Sequence, residues 1–183
     1  FSFYPTKNVH SLEGGMISTE DAGLARTLRL LRNQGMEQRY QNEIVGANMR
    51  LTDVAAAVGR VQLTRLAEWT EQRRANAAYM DRHLTGVVVP PVAEGYRHVY
   101  HQYTIRVAGD RDAVQAELVL RGVGSAVYYP TPIHRLRPYL TESGWKLPET
   151  DRAAAEVLSL PVYPALSRQQ LDRVVSAVNA VTA

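Results

Sequence analysis

The feature of this sequence that most constrains its fold is a long helical pattern between residues 52 and 84. Thr52 or Asp53 is suited to begin the helix, and the pattern continues to Leu84. Apolar residues recur in it at spacings typical of one helix face: Val54, Val58, Val61, Leu66 and Trp69. At about 1.5 Å per residue the helix is on the order of 50 Å long, which exceeds the width of a small domain. We therefore expect it to join two domains or to lie in an oligomer interface.

Before this helix, the sequence predicts two short extended pieces around a loop over residues 1–18, then one helix and a long loop. The helix is predicted over residues 20–34, with Thr19 as its N-cap and Gly35 at its end. Residues 36–50 are polar and irregular. Loops of this length in compact proteins are usually functional or disordered.

After the long helix, Pro90-Pro91 marks a boundary, and beyond it predicted strands alternate with predicted helices. The predicted strands are residues 99–107 and 123–129, and the predicted helices are residues 110–121, residues 149–158 and a last amphipathic helix after Ser167. Ser167 and Gln170 have the spacing of a capping box. This part of the chain is therefore expected to be a small α/β unit with a modest core of its own.

The charge pattern gives little support to nucleic-acid binding. The net charge is +3, from 21 Lys and Arg against 18 Asp and Glu. The basic residues are scattered, and their longest runs are pairs such as Arg73-Arg74. We interpret them as a solvated surface and expect no nucleic-acid partner. A nucleic-acid-binding module, whose affinity for a duplex would fall steeply with salt, remains an alternative.

The composition excludes several kinds of site. Without cysteine there is no disulfide framework, thiolate metal site or cysteine nucleophile. His98 and His101 have no cluster of acids near them, so we predict no metal site. No apolar run approaches the roughly 20 residues of a membrane span, and the first residues lack the order of a secretory signal. We expect a cytoplasmic protein with no membrane partner.

One lysine has an unusual position. Lys7 is one of only two lysines, and it follows Pro5 at the end of an extended piece, just before the pair Gly14-Gly15. A neutral lysine amine in such a turn can form a Schiff base with a carbonyl cofactor. The spacing alone favours an exposed loop lysine over a Schiff-base lysine, because most lysines are exposed.

Several separate motifs of the chain match one known family in register. They are FSFYPTKN with EGGMIST, LARTLRLLRNQG, GANMRLTDVAAAVGRVQLTRL, VYHQYTIRV, VYYPTPIH and EVLSLPVYPALS. With these motifs the chain resembles the sugar aminotransferases of the DegT/DnrJ/EryC1/StrS family. These are pyridoxal-phosphate enzymes of the aspartate-aminotransferase fold, fold type I.

The resemblance implies an α/β fold with three parts. Residues 1–50 complete the large cofactor-binding domain, residues 51–85 form the connecting helix, and residues 86–183 form the small C-terminal α/β domain. In the family, the N-terminal half supplies the aspartate at the pyridine nitrogen, the aromatic on the ring and the phosphate-binding turn. Because Phe1 is not an initiator methionine and these parts are missing, we expect a C-terminal half that is inactive alone.

The resemblance also implies roles for individual residues. Lys7 matches the lysine that forms the Schiff base with pyridoxal 5'-phosphate, and Ser2 matches a serine that binds the cofactor phosphate. Asn48 matches an asparagine that reaches the phosphate of the partner subunit in a homodimer. The implied substrate-binding positions are His134, Tyr129 and Arg50. From the residues alone, Ser2 could merely fill a strand face, Asn48 could form a turn, and His134 could be a surface histidine.

By the same resemblance the reaction is a two-stage amino transfer. The donor is expected to be glutamate and the acceptor a nucleotide-linked keto-deoxysugar. A branch of the family consists of dehydratases with another residue at the lysine position, so Lys7 favours amino transfer. A non-catalytic regulatory member of the same fold is the other alternative, because a fold can persist without turnover.

Overall fold

The structure is a computed structural model of the chain that describes residues 1–142 and 144–183. It divides into two compact units, Phe1–Ala67 and Glu68–Ala183. Helices and one small antiparallel sheet make up its regular structure, which confirms the predicted mixed helix-and-sheet class. Among the described residues, no helix is both long and apolar enough to cross a lipid bilayer.

In the first unit, helix α1 covers Ala22–Arg32 and is shorter than predicted. Asp21, not Thr19, caps it, because the Asp21 carboxylate accepts from the Leu24 backbone N–H at 2.9 Å. Thr19 instead accepts from the Asp21 N–H at 3.1 Å. The helix ends before Gly35, whose φ of 77° turns the chain away while its N–H donates to the Leu30 carbonyl at 2.7 Å.

The extended pieces predicted over residues 1–18 do not form strands in the structure. This segment folds back on itself through a single backbone bridge between Ser2 and Gly15. The Phe3 N–H donates to the Gly14 carbonyl at 2.8 Å, and the Phe3 carbonyl accepts from the Ser11 N–H at 3.0 Å. The two predicted pieces therefore meet around the loop, but a single isolated bridge does not extend into a strand ladder.

Helix α2 covers Asp53–His83, close to the predicted range. The Thr52 hydroxyl caps it by accepting from the Ala55 N–H at 3.2 Å. The face that packs in the first unit carries small and polar residues. Ala55 is buried, and a Cβ placed on Gly59 would lie 3.2 Å from the Ser11 Cβ. Two residues of the predicted apolar stripe, Val54 and Val61, are exposed instead.

The second unit contains a three-stranded antiparallel sheet in the order β1, β2, β3. Strand β1 is Val87–Val88, β2 is Tyr103–Val107 and β3 is Val157–Leu160. Strand β2 begins later than predicted, because the backbone at Tyr100 has a positive φ of 43° and cannot continue an extended strand. Strand β3 was not predicted.

The predicted strand over residues 123–129 is wrong. Only Ala126 pairs with a neighbour, through an isolated bridge to Ser159. One such bridge does not make a ladder, because a strand needs successive paired residues. Two short 3-10 turns follow this segment, at Ile133–Arg135 and Arg137–Glu142.

The remaining helices are α3 (Arg111–Leu120), α4 (Pro148–Glu156) and α5 (Arg168–Val181). The predicted capping box of α5 is confirmed: Ser167 Oγ accepts from the Gln170 N–H at 3.2 Å, and Gln170 Oε1 accepts from the Ser167 N–H at 2.8 Å. These elements surround the core of the unit. Its largest fully buried side chains are Tyr103, Met80, Ile105, Leu118, Leu158, Val107 and Val178.

A buried tyrosine in this core makes stability sensitive to alkaline pH. The Tyr103 hydroxyl donates to Asp81 Oδ1 at 2.6 Å, and burial, aided by Asp81, raises the pKa of Tyr103 strongly. The folded-state pKa lies above the unfolded value of about 10, so this contribution is present below pH 10 and is lost as the pH rises above it.

We expect Tyr103→Phe to lower the free energy of unfolding at pH 7 by about 1 kcal/mol, because one hydrogen bond is lost. Above about pH 10 the variant should lose stability less steeply than the unmodified protein. Denaturant unfolding at pH 7 and at higher pH measures both effects. Parallel pH profiles for the two proteins would contradict the assignment.

Candidate active site

Lys7 lies at the end of a tight turn in the first unit. The Lys7 N–H donates to the Tyr4 carbonyl at 2.9 Å, which closes a four-residue turn with Pro5 at its second position, where the fixed φ of proline is favoured. The Lys7 side chain is half-buried. The backbone that carries this amine is therefore held in a local, hydrogen-bonded turn.

Ser2 lies on the other side of the same turn. Its backbone forms the bridge to Gly15, and its hydroxyl accepts from the Tyr4 N–H at 3.4 Å. Ser2 is exposed. The structure therefore places Ser2 and Lys7 at the two ends of one short, internally hydrogen-bonded segment.

The segment after Lys7 is held against the beginning of α2. His10 Nε2 lies 3.2 Å from the side-chain amide of Gln62. Ser11 is buried, and its hydroxyl donates to the Glu13 carbonyl at 3.2 Å. A Cβ on Gly14 would lie 2.7 Å from the Leu51 side chain, so no larger residue fits there without movement. These contacts fix the loop that carries Lys7.

Asn48 and Arg50 are brought together at the end of α1. The backbone of Asn48 bridges to Asn33, and the Arg50 guanidinium donates to Asn33 Oδ1 at 2.8 Å. Asn48 and Arg50 are both exposed. The two predicted residues therefore share one anchor, Asn33, which the sequence analysis did not identify.

The loop between α1 and α2 has a compact internal structure. Arg26 binds both Glu37 at 2.8 Å and Glu43 at 2.7 Å, and these carboxylates raise the pKa of the Arg26 guanidinium, Glu43 more than Glu37. Gly35 and Gly46 approach so closely that a Cβ on either would collide with the backbone of the loop. The loop that carries Asn48 therefore depends on two glycines.

Tyr129 and His134 lie in the second unit. Tyr129 is 78% exposed. His134 Nε2 lies 3.3 Å from Asp151 Oδ1, and Arg135 donates to the other oxygen of that carboxylate at 2.6 Å. Arg135, followed by His134, lowers the pKa of Asp151 and keeps it ionised. No sequence spacing indicated Asp151 as the partner of His134.

Comparisons with known proteins place the whole chain in one family. The sequence pattern of the DegT/DnrJ/EryC1/StrS aminotransferase family matches residues 1–179. The chain is 43% identical over 187 residues to the pleiotropic regulatory protein of Geobacillus stearothermophilus, covering 97% of this chain and 50% of that protein. It is 38% identical over 181 residues to the UDP-N-acetyl-3-dehydro-alpha-D-glucosamine 3-aminotransferase of Acidithiobacillus ferrooxidans, covering 97% of this chain and 49% of that protein.

The fold of this chain also matches a solved structure. The chain superimposes on S. venezuelae DesV, solved in complex with a ketimine intermediate, with a TM-score of 0.90 and 36% identity. The match covers 100% of this chain and 50% of the other. This chain thus spans about half the length of the relatives it matches. The predicted fold is confirmed, and the chain belongs to the DegT/DnrJ/EryC1/StrS aminotransferase family.

Proposed function

We propose that this chain forms part of a cytoplasmic, homodimeric aminotransferase about twice its length. The enzyme transfers an amino group from glutamate to a nucleotide-linked keto-deoxysugar. The observation that carries the proposal is the half-buried Lys7 at a proline turn, in a chain that matches the family over residues 1–179. Relatives named as nucleotide-sugar aminotransferases and transaminases support the substrate class.

The residues of the first unit fit pyridoxal 5'-phosphate by their chemistry. Lys7 would hold the cofactor through its amine, and the Ser2 hydroxyl and the Asn48 amide are donors suited to its phosphate. Asn48 would serve the partner subunit, for which its exposed position is suitable. When bound, the cofactor supplies the electron sink that stabilises negative charge on the donor carbon.

Lys7 would also be the proton carrier of the reaction. Its Nζ would take the proton from the α-carbon of the amino donor and release it again, so it would act first as base and then as acid. In the second stage the same atom moves a proton in the opposite direction, onto the sugar carbon that receives nitrogen. The turn from Tyr4 to Lys7 keeps the backbone fixed while the amine moves.

We propose substrate contacts for the remaining residues. Arg50, held at Asn33, has donors for an anionic group of the substrate. Tyr129 is an exposed residue whose hydroxyl would contact the sugar nucleotide. His134 would line the same pocket, with the direction of its ring set by Asp151.

A regulatory role is the second candidate. Two relatives carry names of that kind, the pleiotropic regulatory protein and the erythromycin biosynthesis sensory transduction protein EryC1. A regulator that merely retains the fold has no need of a lysine at position 7, so the lysine favours turnover.

The direct test is an amino-transfer assay on the full-length protein loaded with pyridoxal phosphate. L-glutamate and a panel of nucleotide-linked keto-sugars are supplied, and mass spectrometry detects the aminated sugar. We expect an amino sugar from at least one acceptor. A protein that binds the cofactor but aminates none of them would favour the regulatory role. We also expect no binding to a nucleic-acid duplex in a titration with increasing salt. A nucleic-acid-binding module would instead bind the duplex with an affinity that falls steeply with salt.

A further inference from the structure

The second unit contains a cavity to which the proposed mechanism assigns no role. Its volume is about 370 Å³, and it lies where β2 begins and β3 ends. The polar side chains that line it are Arg73, His101, Gln102, Ser125, Tyr128, Ser159 and Tyr163. None of the described residues that line it is acidic.

Arg73 is the charged group of this cavity. Its guanidinium donates to the Tyr100 carbonyl at 3.1 Å, but its Nε is buried without a hydrogen-bond partner among the described residues. Within the same residues it forms no ion pair, whereas the neighbouring Arg74 pairs with Glu71 at 3.5 Å. Burial lowers the pKa of Arg73. A partly buried cation without a counter-charge is unfavourable, and an anion in the cavity would remove that cost.

Ser125, another residue of the cavity lining, carries a second donor. The Ser125 hydroxyl is buried without a hydrogen-bond partner among the described residues, although the Ser125 carbonyl accepts from Gln115 at 3.1 Å. A guanidinium and a hydroxyl together are suited to the two oxygens of a carboxylate. One guanidinium balances one negative charge, which fits a carboxylate better than a doubly charged phosphate.

The backbone next to the cavity is held in an uncommon conformation. Tyr100 is buried and has a φ of 43°, which is unusual for a bulky residue. It is fixed from both sides, because its carbonyl accepts from Arg73 and its N–H donates to His98 Nδ1 at 2.9 Å. Backbone strain of this kind persists where surrounding contacts enforce it, and it is concentrated at ligand sites. Here it precedes His101 and Gln102, which line the cavity.

We propose that this cavity binds a carboxylate group, with Arg73 as its charged ligand and Ser125 as a second donor. The carboxylate belongs either to the amino donor or to an acidic sugar on the acceptor. The inference rests on the proposed aminotransferase function and adds a binding site to it. The cavity lies entirely within residues of the second unit.

The test uses the full-length, cofactor-loaded protein and glutarate, a dicarboxylate that cannot undergo amino transfer. Calorimetry measures the affinity of glutarate for the unmodified protein, for Arg73→Gln and for the control Arg74→Gln. Arg74 is a matched control because its guanidinium donates to the His98 carbonyl at 3.0 Å, two residues before the carbonyl that Arg73 binds. Arg74 does not line the cavity. We expect Arg73→Gln to weaken glutarate binding by about tenfold or more, and Arg74→Gln to change it by less than about twofold.

Two further measurements identify the source of the carboxylate. If it belongs to the donor, Arg73→Gln raises the KM for L-glutamate and leaves nucleotide-sugar binding unchanged. If it belongs to the acceptor, the variant loses affinity for UDP-glucuronate but not for UDP-glucose.

The proposal is overturned if the unmodified protein does not bind glutarate, if both variants lose affinity equally, or if neither substrate measurement changes in Arg73→Gln. Equal losses of glutarate affinity would mean that Arg73 and Arg74 only stabilise the backbone at His98 and Tyr100. Glutarate binding needs no turnover, so it can be judged even if the amino-transfer assay fails. Conversely, active protein with unchanged glutarate affinity in Arg73→Gln would leave the proposed function standing and remove only this site.

Discussion

Replacing Lys7 by alanine is expected to abolish amino transfer by the full-length protein and to remove the visible absorbance of the lysine-bound cofactor. The proposed mechanism gives the amine two tasks, to hold the cofactor and to move a proton at the donor α-carbon. Loss of acid–base catalysis alone costs about 10²–10⁴ in rate, so the combined loss should leave turnover at or below about a thousandth of its original value. Stopped-flow or steady-state assays, together with a visible spectrum of the loaded protein, measure both effects.

Two variants make this result specific. Lys7→Arg keeps a positive charge, but a guanidinium cannot be deprotonated in proteins and so cannot replace the amine. It should therefore be as inactive as Lys7→Ala. Lys146, the other lysine, is exposed, and Lys146→Ala should retain the spectrum and nearly full activity. Turnover by Lys7→Ala would remove the proposed mechanism.

The second large effect is expected from Gly35→Ala. Gly35 has a φ of 77°, and a Cβ on it would overlap the Ile44 carbonyl far inside van der Waals contact. Because the colliding atom belongs to the backbone, no side-chain rotation can relieve the overlap. The left-handed conformation and the forced shift together should lower the free energy of unfolding by roughly 2–5 kcal/mol.

The same substitution should also impair function, because the displaced loop carries Asn48. If Asn48 binds the cofactor phosphate as proposed, the variant should have a higher dissociation constant for pyridoxal phosphate. Gly109→Ala is the matched control, since Gly109 has a φ of 81° but no atom lies within 4 Å of a Cβ placed on it. Gly109→Ala should lower the free energy of unfolding by only about 1 kcal/mol, which is the effect of the left-handed backbone conformation alone. Similar losses in both variants would show that the collision with Ile44 is relieved without cost.

The candidate site could be predicted only in part. Lys7 and Ser2 were identified because a motif keeps its spacing within one short segment, and the structure places them at the two ends of that hydrogen-bonded segment. Their functional roles remain predictions. Asp151 was missed because its approach to His134 depends on where α4 packs. Arg73 was interpreted as part of a solvated surface, since nothing in its neighbourhood along the chain shows that its Nε is buried.

Features that depend on neighbours a few residues away could be predicted from the order of the amino acids. The length of α2 and the capping box at Ser167 are of this kind, because helix hydrogen bonds and caps join residues close in the chain. Only the tertiary structure decided which segments pair as strands and which helix face is buried. Strand β3 and the exposed Val54 show this, since pairing and burial depend on distant segments that local periodicity does not specify.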